Sequence, residues 1–178
     1  EDARSPFFER EYSEFQYSTK VYNYFVHPQW DDFGSPTLLC KILFVDYEER
    51  HAVLEFIGEW NDAINNDIMH LKREVIDPLL AEGIRNFVLI GENVLNFHHS
   101  DDCYYEEWFD EVTEADGWIA LLNFRKHLLD DMSSIDLDQY FVMGGELNEI
   151  GWRTFAPDML VQRIEDCVLQ RLGWLGDE

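Results

Sequence analysis

Residues 51–62, HAVLEFIGEWND, combine an apolar run with a polar helix start, and they set the architecture of the chain around them. The first part, residues 51–57, is apolar and partly alternating, which is typical of a β-strand. A second run of this kind covers residues 37–47, and the polar residues 46–50 separate the two runs. This arrangement predicts an antiparallel hairpin.

A helix is predicted directly after the hairpin. Asn61 or Asp62 supplies its N-terminal cap, because short polar side chains accept hydrogen bonds from the first free N–H groups of a helix. Apolar residues then recur at helical spacing, at Ile64, Ile68, Leu71, Val75 and Leu79. Pro78 is expected to kink or end this helix, and Gly83 closes the segment.

The rest of the chain alternates predicted strands and helices. Short apolar runs predict strands at residues 86–90, 118–124 and 140–143. Helices are expected at residues 101–114, at residues 125–132 and from Pro157 onward, and residues 91–100 are expected to form a loop. Strands separated by helices pair in parallel, so the sequence predicts an α/β fold with a mixed β-sheet, an N-terminal hairpin plus parallel strands, covered by helices.

The chain is expected to hold a single α/β domain over residues 37–178, with an extra C-terminal helix. An aromatic and acidic N-terminal extension, residues 1–36, precedes it, with one strand at residues 20–26. The extension is expected to pack on the domain through its aromatic side chains, Phe7, Phe8, Tyr12, Phe15 and Tyr17.

The charge of the chain restricts its partners. Thirteen Lys and Arg residues stand against 37 Asp and Glu residues, which gives a net charge of −24. That field repels phosphate backbones and anionic lipids, so no nucleic acid and no membrane insertion are expected. The three cysteines are far apart and odd in number, which predicts reduced thiols in a cytoplasmic protein.

The most chemically rich stretch is residues 96–103, NFHHSDDC. Its histidines, aspartates and thiol are metal-ligand types, but adjacent His98 and His99 point in different directions in most backbones, and no matched further ligand follows. We therefore expect no metal and no cofactor. Ser100 or Asp101 is expected to cap the following helix.

No catalytic constellation is found. Gly144, Gly145 and Glu146 follow a predicted strand but lack the glycine patterns of phosphate loops. Ser133 and Ser134 have no nucleophile-elbow context. The protein is therefore expected not to be an enzyme.

The ordered pieces of the chain resemble the STAS domain family of anti-sigma-factor antagonists over about residues 37–145. Residues 52–62 are similar to its strand and "GEL-D" segment, and residues 83–90 and 93–102 to its buried strand and the loop that follows. Residues 118–123, 125–129 and 132–135 are similar to its late strand and helix. The resemblance implies a non-enzymatic regulatory domain with a STAS-like mixed sheet.

In that family a Ser or Thr at the start of the helix after the central strand is phosphorylated by a partner kinase, and the added charge changes a protein contact. Ser100 matches the first serine of the family's loop, and Asp101 stands at the usual acceptor position. His99 and Asp102 replace the family's Asp and Gly. A permanent charge at Asp101 argues against orthodox phospho-switching there.

The leading hypothesis is a protein-interaction module with a basic partner of unknown identity. Its expected contact residues are His98, His99, Ser100, Asp101, Asp102, Tyr104, Tyr105 and Trp108. The alternative is a small-molecule-binding domain or degenerate enzyme that uses the carboxyl ends of the strands near Glu92, Asn123, Arg125 and Glu146. A third hypothesis is a homo-oligomer clasped by the N-terminal extension.

Overall fold

The computed structural model describes residues 2–21 and 24–173. In the N-terminal extension, β1 (Lys20–Val21) and β2 (Tyr24–Phe25) form a short antiparallel pair. The central sheet has four strands, side by side in chain order: β3 (Leu38–Asp46), β4 (His51–Asn61), β5 (Asn86–His98) and β6 (Trp118–Leu122).

The central sheet is mixed, as predicted. β3 and β4 form the antiparallel hairpin, whereas β4 pairs with β5 and β5 with β6 in parallel. The hairpin turn is fixed by Asp46, whose Oδ1 accepts the backbone N–H groups of Glu48 and Glu49 at 2.9 and 3.0 Å. A β-bulge between Ile42 and Phe44 interrupts the ladder of β3.

Helices connect and cover these strands. They are α1 (Asp62–Asn65), α2 (Asp67–Leu71), α3 (Asp77–Ala81), α4 (Cys103–Glu114), α5 (Lys126–Ser133) and α6 (Pro157–Arg171). A π-helical turn, Lys72–Ile76, joins α2 to α3. No helix in the described part of the chain is long and apolar enough to cross a membrane.

The alternation of strand side chains divides the core into two layers. Leu54 and Leu89 belong to the larger core cluster, which also contains buried residues of α2 to α5. Val53 and Val88 lie on the other face of the sheet, where Ile164 of α6 and its neighbours cover them. The sheet is therefore covered by helices on both faces.

The first predicted helix is confirmed in position but not as one continuous helix, because Asn66, with a φ of 52°, separates α1 from α2. Asn61 caps it, since its side chain accepts the N–H of Ile64 at 3.0 Å. Ile64, however, is 83% exposed and does not belong to the buried stripe. The helical path also continues through Pro78, and the π-helical turn lies just before it, where the proline ring would clash with the carbonyl of an ordinary turn.

Two further boundaries differ from the prediction. The expected loop at residues 91–100 is largely strand, because β5 continues to His98. The expected strand at residues 140–143 is reduced to one bridge, between Val142 and Ala120 of β6.

The extension packs less closely than predicted. Phe7 is buried, but Phe8, Tyr12 and Tyr17 are between 44 and 46% exposed, and Phe15 is 91% exposed. In place of one strand at residues 20–26 the structure has β1 and β2, while residues 22 and 23 lie outside the described part.

Candidate partner-binding surface

The predicted contact region begins where the two central strands end. His98 of β5 stands opposite Asn61 of β4. Its Nε2 lies 3.5 Å from Oε1 of Glu59, which also accepts the side-chain amide of Asn61 at 3.3 Å. Asn96 donates to the other carboxylate oxygen of Glu59 at 3.4 Å. The strand ends thus form a polar cluster around one carboxylate, with the His98 ring half exposed.

The connection from β5 to α4 is exposed. His99, Ser100 and Asp101 are all accessible to solvent, whereas Asp102 is only partly so. The cap position of α4 belongs to Asp102, so the expectation that Ser100 or Asp101 occupies it is wrong. Asp101 nevertheless contacts the helix start, because its Oδ1 accepts the N–H of Cys103 at 3.4 Å.

These contacts also set the ionisation of the connection. Hydrogen bonds from Cys103 lower the pKa of Asp101, which is therefore negatively charged at neutral pH. The same interaction raises the pKa of the Cys103 thiol. That thiol stays protonated at neutral pH, which makes it a poor nucleophile.

One face of α4 is core. Tyr105, Trp108 and Val112 recur at helical spacing and are at most 1% exposed. The Trp108 ring packs edge-on against Phe87 at 5.3 Å and against Phe141 at 6.0 Å between centroids. The prediction that Tyr105 and Trp108 contact a partner is therefore wrong, since neither side chain reaches the surface.

A buried carboxylate lies beneath this face. The Tyr105 hydroxyl donates to Oδ2 of Asp62 at 2.5 Å, and Oδ1 accepts the indole N–H of Trp60 at 3.1 Å and the backbone N–H of Ile68 at 2.8 Å. Burial raises the pKa of Asp62 to about 6, and the nearby charge of Asp67 acts in the same direction. Asp62 therefore ties α4 to the start of the first helix.

A neighbouring face of α4 is acidic. Asp102, Glu106 and Asp110 follow one another at four-residue intervals and so lie in a row along the helix. Tyr140 donates to Asp102 Oδ2 at 2.7 Å, and its ring lies 5.6 Å from that of Phe109. The hydrogen bond to Asp102 raises the pKa of Tyr140 to about 12, followed by burial and the charges of the row. This face therefore combines three carboxylates with two partly exposed rings, those of Phe109 and Tyr140.

An ion-pair network anchors α4 from the side. The ammonium of Lys72, whose side chain is fully buried, contacts Asp77 and lies 2.6 Å from Glu111 and 3.5 Å from Glu107. Burial lowers the pKa of Lys72, but the bonds to Asp77 and Glu111 outweigh it, and the pKa is raised overall. The three carboxylates are close enough to ligate a metal ion, but the Lys72 ammonium already lies among them.

Tyr104 belongs to the same side of α4 as this network. It is half-buried, and the guanidinium carbon of Arg73 lies 5.3 Å from its ring centroid. Arg73 also binds Glu107 through two hydrogen bonds of 2.6 and 2.9 Å. Of the three aromatic residues predicted to meet a partner, Tyr104 alone keeps an accessible ring.

The predicted small-molecule pocket is only partly assembled. Glu92 and Asn123 do meet, with Nδ2 of Asn123 3.1 Å from the carboxylate. Trp152 and Arg153 fill the rest of the coordination of Glu92, at 2.9 and 2.7 Å. The site is therefore a polar cluster saturated by the protein itself, and sequence reasoning missed its two C-terminal members.

The other two residues of that predicted pocket lie elsewhere. Arg125 is exposed at the start of α5. Glu146 pairs with Arg163 of α6 at 3.0 Å. The four side chains do not converge on one cavity.

Comparison with known proteins gives a fold and no closer relationship. No protein-family model matches the chain, and no curated protein matches it either. The structure is similar to that of the anti-sigma factor antagonist SpoIIAA in its unphosphorylated form, with a TM-score of 0.51 and 10% sequence identity over 71% of this chain and 96% of that one. The Bacillus cell fate determinant SpoIIAA in the phosphorylated form aligns with a TM-score of 0.46 and 10% identity, over 70% of this chain and 98% of that one.

The first of these likenesses confirms the predicted fold. The chain has the STAS-like mixed α/β fold of an anti-sigma factor antagonist, with the hairpin at one edge of the sheet and parallel strands after it. At 10% identity the likeness concerns the fold alone.

Proposed function

We propose that this STAS-like domain is a non-catalytic regulatory module that binds a basic protein partner in the cytoplasm. The proposed contact surface comprises residues 98–102, Tyr104 and the acidic face of α4 with Tyr140 and Phe109. The fold likeness supports this class of function, because the similar structure is that of an anti-sigma factor antagonist.

The observation that carries the proposal is the row Asp102, Glu106 and Asp110 beside two partly exposed rings. Carboxylates attract a basic partner over long distances, while aromatic rings supply contact area at short range. Saturation of Glu92 by protein groups weighs against the small-molecule alternative.

This surface also bears on how the proposed interaction would be regulated. By the sequence resemblance, Asp101 matches the position of the family's phosphoacceptor, and its lowered pKa keeps it charged. The proposed interaction therefore does not depend on phosphorylation at that position. Ser100 is exposed, and its modification would add charge to an already acidic surface.

The test is capture of binding proteins by the tagged domain from its own cells, with three baits compared side by side. The surface variant carries Asp101→Asn, Glu106→Gln and Asp110→Asn. The matched control carries Asp158→Asn, Glu165→Gln and Asp166→Asn on α6, which lies across the sheet. Both variants lose the same charge, so only the position differs.

We expect the wild type and the control to retain a stoichiometric basic partner, and the surface variant to bind it about tenfold more weakly. Equal loss from both variants would show that net charge, not this surface, governs binding. Recovery of the domain alone from all three baits would contradict the proposal.

A further inference from the structure

A second candidate surface lies at the opposite edge of the sheet from α4. β3 is an outer strand, and its residues 42–45 are four consecutive apolar side chains that are only partly buried. Unpaired backbone groups on such an edge are a template for another strand. The run itself is uncharged and is flanked by Lys41 and Asp46.

The edge already accepts one residue of the chain itself. Asp31 and Cys40 exchange two backbone hydrogen bonds, of 2.7 and 3.0 Å. Among residues 2–21 and 24–173 this is the single pairing on the outer side of β3. Because backbone groups alternate in direction along a strand, Ile42 presents its N–H and C=O to the same side as Cys40. The ladder therefore stops one step before its next available position.

One cleft lies beside this position on the face of the larger core. It has a volume of about 510 Å³ and lies between the N-terminal extension and the edge strand. Phe7, Phe8, Gln29, Lys41 and Ile42 contribute to its walls.

A second cleft lies on the other face of the same strand. It has a volume of about 120 Å³ and is mainly apolar, with Arg153 as its one charged wall residue. Its walls include Leu43 and Phe44 of β3, together with Trp152, Phe155 and Leu160 from the α6 side of the sheet. The β-bulge after Ile42 turns Leu43 and Phe44 toward this cleft.

We propose that the outer edge of β3, from Ile42 to Asp46, binds an extended segment of a partner protein as an added strand. Successive side chains of a strand point to opposite faces, so alternate side chains of the segment would enter the two clefts. Backbone hydrogen bonds supply affinity in this mode, and the clefts select apolar side chains of suitable size. This surface is distinct from the acidic face of α4 and does not depend on it.

Charge identifies the kind of segment. Asp46, Glu48 and Glu49 lie at one end of the edge. The cleft near the other end has mixed charge, because Arg10 and Lys41 line it together with Asp2, Glu9 and Asp31. An apolar segment that carries Lys or Arg at the end beside Asp46 complements this arrangement. A second copy of this chain would bring the same acidic groups and a net charge of −24 against them.

The experiment is selection of linear dodecapeptides from a random phage library against the intact protein. Binding is then compared in Leu43→Lys, which places a charge in the apolar cleft, and Phe155→Ser, which opens its wall. Leu95→Lys is the matched control, since Leu95 is 42% exposed on β5 away from the edge. Circular dichroism verifies that each variant is folded.

We expect selected peptides to alternate apolar residues and to carry Lys or Arg at one end. Leu43→Lys and Phe155→Ser should each raise the dissociation constant about tenfold, with Leu95→Lys unchanged. Hydrogen exchange at the Ile42 amide should slow on binding, because an added strand pairs with it.

Three results would overturn the proposal: no enriched peptide, peptides whose binding ignores both edge variants, or an Ile42 amide that exchanges equally fast when peptide is bound. A dimer in sedimentation that Leu43→Lys dissolves would also overturn it, since a second copy would then cover the edge.

Discussion

At the residue scale, the buried carboxyl of Asp62 makes stability depend on pH. It is 3% exposed, and burial raises its pKa from 3.8 to about 6 in the folded protein. Between these two pH values the folded state binds the proton more tightly than the unfolded state does. The contribution of Asp62 to stability therefore increases as the pH falls through 6 toward 4, and it is lost as the pH rises through 6.

Asp62→Asn should remove this dependence. Between pH 7.5 and pH 4.5 we expect the unfolding free energy of the wild type to rise by about 2 kcal/mol relative to the variant, measured by urea titration. Asp46→Asn is the control, because Asp46 is only partly buried and its pKa is lowered below 3.8, so it stays ionised over this range. A constant difference between wild type and Asp62→Asn at all pH values would contradict the assignment.

At the element scale, Lys72 holds the second and third helices against α4. Its ammonium lies among the carboxylates of Asp77, Glu107 and Glu111. Lys72→Met removes the buried cation and leaves Arg73 to pair with Asp77 and Glu107, and we expect a loss of about 1–3 kcal/mol in unfolding free energy. Lys126→Met should change it by no more than about 0.5 kcal/mol, because Lys126 is exposed and pairs only with Asp130. Equal effects in calorimetry would refute the role of Lys72.

The elements differ in how far the sequence predicts them. The hairpin, β6 and α6 carry strong apolar patterns, and their positions agree with the structure. The second half of β5 lacks such a pattern. It begins with Gly91, Glu92 and Asn93, and Gly and Asn are typical of turns. Pairing with the extended end of β4 overrides that local preference. Residues 140–143 show the opposite disagreement. Their strand propensity is high, but of these four residues only Val142 forms a bridge to the sheet.

The candidate surface was predictable in part for similar reasons. Its location after the central strand follows from the order of elements. The burial of Tyr105, Trp108 and Val112 was also encoded, because their spacing is that of a buried helical stripe. Tyr140 was not predictable, since tertiary packing alone brings it to Asp102, 38 residues away in the chain.

At the scale of the whole molecule, the N-terminal extension is part of the fold. Phe7 and Val21 are buried, and Arg10 pairs with Asp31 at 3.3 Å beside the edge strand. Deletion of residues 1–30 should lower the unfolding free energy by about 3 kcal/mol, mainly through the lost aromatic burial. Sedimentation should give the same number of chains before and after deletion. A lower number after deletion would instead identify the extension as an oligomer clasp.

The net charge of −24 belongs to the same scale, because it acts on a partner before contact. Its action should be concentrated at the acidic face of α4, where Asp102, Glu106 and Asp110 lie in a row. We therefore expect this face to recruit the basic partner.

The measurement that tests it most directly is the association rate of the captured partner as a function of ionic strength. For the wild type and the α6 control we expect the rate to fall about tenfold between low and high salt, and for the α4 surface variant we expect a lower rate with a flatter dependence. A wild-type rate that ignores salt, or three identical slopes, would contradict the claim that this face recruits a basic partner.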